Sequence, residues 1–447
     1  MPWKRRLKSA LKWLYPGMRV KRWLFLTPVG VFLVIIGVTL ITNTQVVDYL
    51  NNVANWVYQT SSEFLPKPLN LSEPRVYIPL SILFILVGLS LIFVSFRQVI
   101  ASIASVISPQ DKDRLADVIY KRRHLAQGHR MVVIGGGTGL SALLRGLKEH
   151  TSNIVAIVTV TDDGGSSGRL QRQFGMLPPG DIRNCLVALA DAEPLMTELF
   201  QHRFDEVGDG LAGHSFGNLL IAAMTNITGD FERAIKETSN ILAIRGRVLP
   251  STLQNVVLRA EMEDGSILEG ETNIAKSPLA IKRISLFPED VMPLDETLEA
   301  IRLANAIVVG PGSLYTSVIP NLLVKGIVEA IMDSDAVKIY VCNVMTQPGE
   351  TDGYRASDHV RAIFEHTGKR IFNYVLVNKE VPSIRLLEKY QREGAELVSP
   401  DVDAIREMGY KPVTGNYISE TEVVRHDPQK LAQAIIRLVF EKSFLPR

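Results

Sequence analysis

Met131 to Leu147 reads MVVIGGGTGLSALLRGL, a strand, a glycine elbow and a helix in immediate succession. Met131, Val132, Val133 and Ile134 form the short apolar run of a buried parallel strand. Gly135, Gly136, Gly137 and Gly139 let the backbone turn tightly and approach a ligand with no Cβ in the way. Leu140, Leu143, Leu144 and Leu147 then recur at helical spacing, opposite Ser141, Arg145 and Lys148. A helix opened by such a loop points unpaired N–H groups and the positive end of its dipole at it, which favours phosphate.

Downstream the same alternation continues. Ile154–Thr161, Asn305–Val309, Val337–Cys342 and Ile371–Val377 read as strands, with helical patterns at Asn321–Met332 and Ser357–His366. Strands and helices in alternation imply a parallel sheet covered by helices. Val256–Met262 and Ile267–Glu271 flank Asp264-Gly265, a hairpin signal, and Ile281–Leu286 adds a third strand. The expected architecture is an α/β, doubly wound, Rossmann-like parallel sheet with a small antiparallel β insertion.

Four strands end in polar loops. After the second comes DDGGSSGRL, Asp162–Leu170, where Asp162 and Asp163 suit either a ribose or a divalent cation, and Ser166, Ser167 and Arg169 suit an anion. GPGSLYTSVIPN, Gly310–Asn321, repeats the phosphate logic with Gly312 and Ser313, and Tyr315 is either a stacking ring or a core side chain. NVMTQPGETDG, Asn343–Gly353, offers Asn343, Thr346, Gln347 and Glu350. Two further loops precede helices. In PPGDIRN Asp181 reads as an N-cap, with Arg183 and Asn184 after it, and in GHSFGN His214 and Asn218 are polar candidates. Loops gathered at one sheet edge describe a cleft for a nucleotide and a second group.

No Gly-Lys-Ser/Thr follows the elbow, so it is not a Walker loop; Gly137, Gly139 and Ala142 fit a dinucleotide fingerprint only weakly. No redox cofactor is expected. Cys185 and Cys342 belong to no CxxC, and Cys185 sits in an apolar helical pattern, a core thiol.

The N-terminal part differs. Trp23–Thr42 and Val76–Phe96 are uncharged apolar runs long enough to cross a bilayer. Lys4, Arg5, Arg6, Lys8, Lys12, Arg19, Lys21 and Arg22 precede the first, and Arg97, Lys112, Arg114, Lys121, Arg122, Arg123 and Arg130 follow the second. The stretch between carries only Lys67 and Arg75 against Asp48, Glu63 and Glu73. The positive-inside rule then places both ends in the cytoplasm of a multi-pass inner-membrane protein. The expected order is a basic N-terminus 1–22, a span 23–42, an external loop 43–75, a span 76–96, a linker 97–129 and a nucleotide-binding domain 130–447. Within the external loop Val46, Val47, Leu50, Val53 and Val57 make one helix face beside Trp56, so that part is either a helix on the membrane surface or a plain loop. Lys plus Arg total 49 against 47 acidic residues, a net charge of +2 that argues against a nucleic-acid partner.

In order, GGGTGLS, TVTDDGGSSGRL, PPGDIRN, GHSFGN, GPGSLYTSVIPNL and CNVMTQPGET resemble the CofD/YvcK-type family over residues 130–447. One branch holds the 2-phospho-L-lactate transferases of deazaflavin biosynthesis. The other holds gluconeogenesis factors, which bind UDP-sugars and influence cell shape and carbon metabolism. DDGGSSGRL, MTQPGET and VVRHDPQKLA place this chain nearer the second. The resemblance implies a binder of UDP-N-acetylglucosamine or a similar nucleotide sugar. Gly136, Gly137, Thr138, Gly139, Gly312 and Ser313 would then hold the diphosphate, Tyr315 or Tyr390 the base, and Arg425 is a further contact. The alternative is a transferase in which Asp162 and Asp163 hold Mg2+, the one cofactor suggested. Membrane lipid and a second copy of the chain are the other expected partners. The two-span anchor departs from the many relatives that are soluble throughout.

Overall fold

The computed structural model describes residues 21–60, 73–107, 120, 123–191, 194–205 and 210–443. The chain forms two compact units, Met1–Lys121 and Arg122–Arg447.

In the first unit Lys21–Leu24 and Leu26–Thr42 are helical, and Phe25 between them keeps right-handed helical backbone. Asn43 is extended, and the chain turns by 103° into a second helix that reaches Thr60. The segment expected as surface helix or loop is thus helical, with Val47 on its buried side. Pro74–Ile107 is one long helix, and its part Pro74–Ser102 is, among the described residues, the one unbroken helix long and apolar enough to cross a membrane. The Leu26–Thr42 helix, of 17 residues, reaches that length only together with its neighbours. The two apolar helices pack through small residues at heptad spacing, Gly30 and Gly37 against Ser81, Gly88 and Ser95. A Cβ on Gly30 would lie 2.7 Å from the Gly88 carbonyl oxygen, and one on Gly37 the same distance from that of Ser81. Thr27 and Ser95 share a hydroxyl hydrogen bond of 2.8 Å. Small residues allow the close backbone approach that holds apolar helices together without a hydrophobic driving force. Phe25, Phe32, Leu86, Phe93 and Phe96 point outward and are exposed. The expected basic residues up to Arg19, Glu63, Lys67, Lys112, Arg114, Lys121 and Arg122 lie outside the described residues.

The second unit is built on seven parallel strands: β1 Met131–Gly135, β2 Ile154–Val158, β3 Arg247–Pro250, then β7 Ala306–Val309, β8 Val337–Val341, β9 Tyr374–Asn378 and β10 Lys411–Gly415. Their spatial order is β10-β9-β8-β7-β1-β2-β3. β4 Val257–Met262, β5 Ile267–Glu269 and β6 Ile281–Phe287 form the antiparallel insertion, in the order β5-β4-β6. β11 Ile418–Glu420 and β12 Val424–His426 make a small hairpin. Every residue of β1 and β7 is buried, as a strand covered on both faces requires.

The chain runs outward from β1 to β3 and returns across β1 to begin the other half at β7. The switch point therefore lies between β1 and β7, where this architecture puts its ligands. Helix Gly137–Leu147, which starts there, is fixed by Gly180–Leu189 and by Pro428–Ser443. Gly146 lies so close to the Pro428 carbonyl that a Cβ could not fit.

Several boundaries differ from the sequence reading. β2 ends at Val158, and Thr159, Val160 and Thr161 continue as buried irregular backbone. The helix expected at Asn321–Met332 is broken: a π-helical turn Leu314–Val318 runs into Ile319–Leu323, and Gly326 (φ 84°) separates Ile327–Asp333. Cys185 and Cys342 are buried free thiols.

Candidate functional site

The loops after β1, β7 and β8 bound a cleft of about 260 Å3 lined by Gly137, Thr138, Gly139, Ala142, Pro311, Gly312, Ser313, Asn343, Met345, Gln347, Tyr390, Arg425 and His426, among others. The two glycine loops touch through backbone, since a Cβ on Gly139 would lie 2.8 Å from the Pro311 carbonyl oxygen. Asn343 clamps the second loop from both sides, accepting from the Gly312 amide at 3.2 Å and donating to its carbonyl at 2.8 Å. Gln347 donates to the Ser313 hydroxyl at 2.7 Å, and its own amide oxygen is buried without a partner. A buried acceptor left unpaired costs stability, so a ligand donor there would be favoured. Burial holds the His426 imidazole at about 4, so it is neutral near pH 7.

Arg425 projects from β12, which packs on helix Gly137–Leu147. Arg145 continues the helix face of Thr138 and Ala142, at i+7 and i+3. Its pKa is lowered by burial of its stem and by the neighbouring Arg425 guanidinium. Neither arginine has an acidic partner among the described residues; of the two, Arg425 lines the cleft.

On the β2 side carboxyl groups gather. Asp181 was expected to cap its own helix, but Pro179 occupies that position, and the Asp181 carboxylate instead accepts from the Gly137 amide at 2.8 Å. Burial is the main cause that pushes Asp181 to about 6. Glu271, brought in by the antiparallel insertion, is pushed up to about 9 by burial, then by Asp162, Asp181, Glu350 and Asp163. Glu350 is pushed to about 7 by burial, and one of its oxygens is buried without a partner. One Asp163 oxygen receives both the amide (2.9 Å) and the hydroxyl (2.6 Å) of Thr272, fastening the β2 loop to the insertion. The two expected metal carboxylates are alike in this respect: Asp162 also has one oxygen engaged, accepting from the Gly164 amide at 3.0 Å, and in each the second oxygen has no hydrogen bond among the described residues. Among the described residues no group of three or more His, Cys, Asp or Glu is arranged to hold a metal ion.

Behind this cluster Ser166 shares a hydrogen bond of 3.0 Å with His214 Nδ1 and accepts from Asn218 at 3.0 Å. Burial, Arg169 and Arg203 lower the His214 pKa. Ser167 packs against Gly180, and Arg169 donates to the Ala212 carbonyl at 2.7 Å.

Three expected ligand contacts have other duties. Tyr315 is buried; its hydroxyl pairs with that of Tyr354 at 2.8 Å and its ring meets the edges of Tyr354 and His366. It is a core tyrosine, part of the main hydrophobic cluster and set in the π-helical turn. The Thr346 hydroxyl accepts from the Glu396 amide at 2.8 Å, so this buried residue pins a loop and offers the cleft mainly backbone. Tyr390 lines the cleft, and its hydroxyl accepts from the Val424 amide at 3.1 Å and so fixes the β11–β12 hairpin. Glu271 was missed, since only the fold of the insertion brings it to the carboxyl cluster.

The sequence profile of the family described as 2-phospho-L-lactate transferase CofD matches residues 131–418. The gluconeogenesis factor of Halalkalibacterium halodurans is 55 % identical over 307 residues, 68 % of this chain and 95 % of that protein. That of Bacillus subtilis is 50 % identical over 318 residues, 71 % of this chain and all of that protein. A relative from Nostoc sp. that also bears the gluconeogenesis-factor name is 48 % identical over 435 residues, 97 % of this chain and 93 % of its own length, so the likeness extends into the N-terminal unit. Two crystal structures of one Bacillus halodurans protein, 54 % identical, superpose with TM-scores of 0.67 and 0.68, covering 69 % of this chain and 99 to 100 % of theirs. With its parallel sheet, its switch-point loops and these relatives, the chain belongs to the CofD family, among the homologues named gluconeogenesis factors.

Proposed function

We propose that the second unit binds a nucleotide sugar of the UDP-N-acetylglucosamine type at the β1–β7 switch point, and that the bound ligand regulates carbon metabolism, cell shape or cell-wall synthesis. The observation that carries this reading is the pair of glycine loops, Gly137–Gly139 and Gly312–Ser313, facing one cleft whose rim holds Arg425, without an acidic partner among the described residues. The Gly137 and Gly312 amides are taken by Asp181 and Asn343, so the amides of Thr138, Gly139 and Ser313, with the guanidinium, are those that suit a diphosphate. The Tyr390 ring suits a base or sugar face, and the orphaned Gln347 oxygen suits an N–H or O–H donor. Regulation follows if the ligand binds one arrangement of the cleft loops more tightly than another.

In the same reading, the helices around 21–42 and 74–102 hold the domain at the cytoplasmic face of the cell membrane. Their outward phenylalanines and small-residue packing support this placement.

The carboxyl cluster favours a second reading, a Mg2+-dependent transferase of a phospho-group from a nucleotide diphosphate to a hydroxyl acceptor. Mg2+ is commonly held by one or two carboxylates together with substrate phosphates. Asp162 and Asp163 each keep one oxygen for that role, with Glu271 and Asp181 nearby. Bound there, the ion would neutralise charge building on the leaving diphosphate.

Calorimetric titration of the full-length protein in detergent with UDP-N-acetylglucosamine, with and without Mg2+, tests both. Saturable binding with the nucleotide recovered intact supports the regulator. Turnover in the presence of a hydroxyl acceptor moves the assignment to the transferase, and absence of binding overturns this ligand.

A further inference from the structure

The geometry points to a second anion site, built by Arg169, Arg183 and Arg203 around the loop Ala212–Ser215, for inorganic phosphate or a small phosphomonoester. The three arginines come from different segments: helix Gly165–Phe174, helix Gly180–Leu189 and the turn after helix Pro194–Gln201. All converge on four consecutive residues. Arg169 donates to the Ala212 carbonyl at 2.7 Å, Arg203 to the Gly213 carbonyl at 2.6 Å, and Arg183 to the Ser215 hydroxyl at 2.5 Å. Arg203 and Ser215 also form an isolated antiparallel bridge through their backbones.

Each guanidinium carries five N–H donors, and these contacts, with one from Arg183 to Asn184 at 2.7 Å, use a minority of them on neutral acceptors. The Arg183 Nε is buried and has no partner. Among the described residues none of the three makes an ion pair, although Asp181 and Asp162 act on Arg183 at longer range. Three guanidinium groups with no ion pair among the described residues gather around one loop, and Arg203 acts unfavourably on Arg183. Planar forks of this kind bind tetrahedral oxyanions bidentately, which relieves the repulsion and satisfies the spare donors. None of the three arginines lines the cleft between the glycine loops, so this inference stands apart from the nucleotide-sugar reading.

The test is calorimetry of the full-length protein in detergent at constant ionic strength, with inorganic phosphate and then glycerol 3-phosphate. Saturable binding is expected, weakened about tenfold in Arg203→Gln and less in Arg203→Lys, with thermal melting of both variants unchanged. Tighter binding of the ester supports the site and assigns it to a phosphomonoester, whereas equal binding supports it as a phosphate site. Absence of saturable binding to wild type, or equal affinity in wild type and both variants, overturns the site and leaves the arginines as braces of the loop.

Discussion

The carboxylate of Asp181 accepts the backbone N–H of Gly137 at 2.8 Å, so the segment after β2 supplies an anion to the glycine loop after β1. The contact is close-fitting, because a Cβ on Gly136 would lie 2.5 Å from the same oxygen. An amide expected to face a ligand phosphate thus has an internal partner. Burial makes that partner hold its proton up to about pH 6.

Asp181→Asn keeps an oxygen acceptor for Gly137 and removes the charge. The native value near 6 stands above the ordinary 3.8, so between them the folded protein binds more protons than the unfolded chain, and stability falls as pH rises through that window. The variant is expected to gain about 1–3 kcal/mol over wild type at pH 7.5 and to lose this part of the pH dependence. Denaturant melts at pH 4.5 and 7.5 check it; a gain equal at both values would contradict the assigned charge.

Glu271 extends the same argument to higher pH. Its value of about 9 against an ordinary 4.5 means that stability drains away from about pH 4.5 to 9. Glu271→Gln, which keeps the neutral shape present at pH 7, should flatten the melting temperature between pH 7 and 9. If the variant's curve parallels that of wild type across that range, Glu271 is not a proton store.

These carboxyl groups also show what the sequence could and could not convey. β1, β2 and β7 were legible because a strand covered on both faces is written as an unbroken apolar run, and their terminal loops stand out by glycine and polar content. β3, with four residues, and the half-exposed β10, with Pro412 inside it, carry no such run and were missed. Asp181 looked like a helix cap since local patterns assign it a local partner, whereas its true partner lies 44 residues away. Glu271 has no local mark, because the groups that raise its pKa are placed beside it only by the tertiary fold. Tyr315 was ambiguous between ring stacking and core, and its burial in the main hydrophobic cluster decided for core.

Gly139→Ala tests how closely the two glycine loops must approach. The added methyl would meet the Pro311 carbonyl oxygen at 2.8 Å and the Gly312 nitrogen at 3.3 Å, both backbone. Neither can rotate away, so the loops must part, at a cost of about 1–3 kcal/mol. Lower thermal stability together with loss of nucleotide-sugar binding is expected. Unchanged affinity would remove this edge of the cleft from the ligand site.

Tyr390 has two separable roles. Tyr390→Phe keeps the ring but deprives the Val424 amide of its acceptor, a loss of about 1 kcal/mol. Tyr390→Ala removes the ring as well, together with its packing beside Val344, Leu386 and Val424. Titration should find near-native nucleotide-sugar affinity in the first variant and a loss of about tenfold or more in the second. Equal losses in both would assign the effect to the hairpin, with no role for the ring.

The N-terminal unit gives the last test. The Bacillus halodurans protein solved by crystallography corresponds to 69 % of this chain and almost all of its own, so a family domain of this kind stands without the preceding helices. Residues 122–447 alone should therefore keep the melting transition of the intact protein's second unit, because the core cluster around the seven-stranded sheet lies wholly within that unit. The apolar helices, by contrast, expose Phe25, Phe32, Leu86, Phe93 and Phe96, a surface that water disfavours and lipid does not. Carbonate extraction of cells expressing each form separates the possibilities. The intact chain is expected in the membrane pellet and residues 122–447 in the supernatant. Release of the intact chain by carbonate would refute the spanning role of the helices, while retention of the truncated form would locate the membrane contact on the second unit itself.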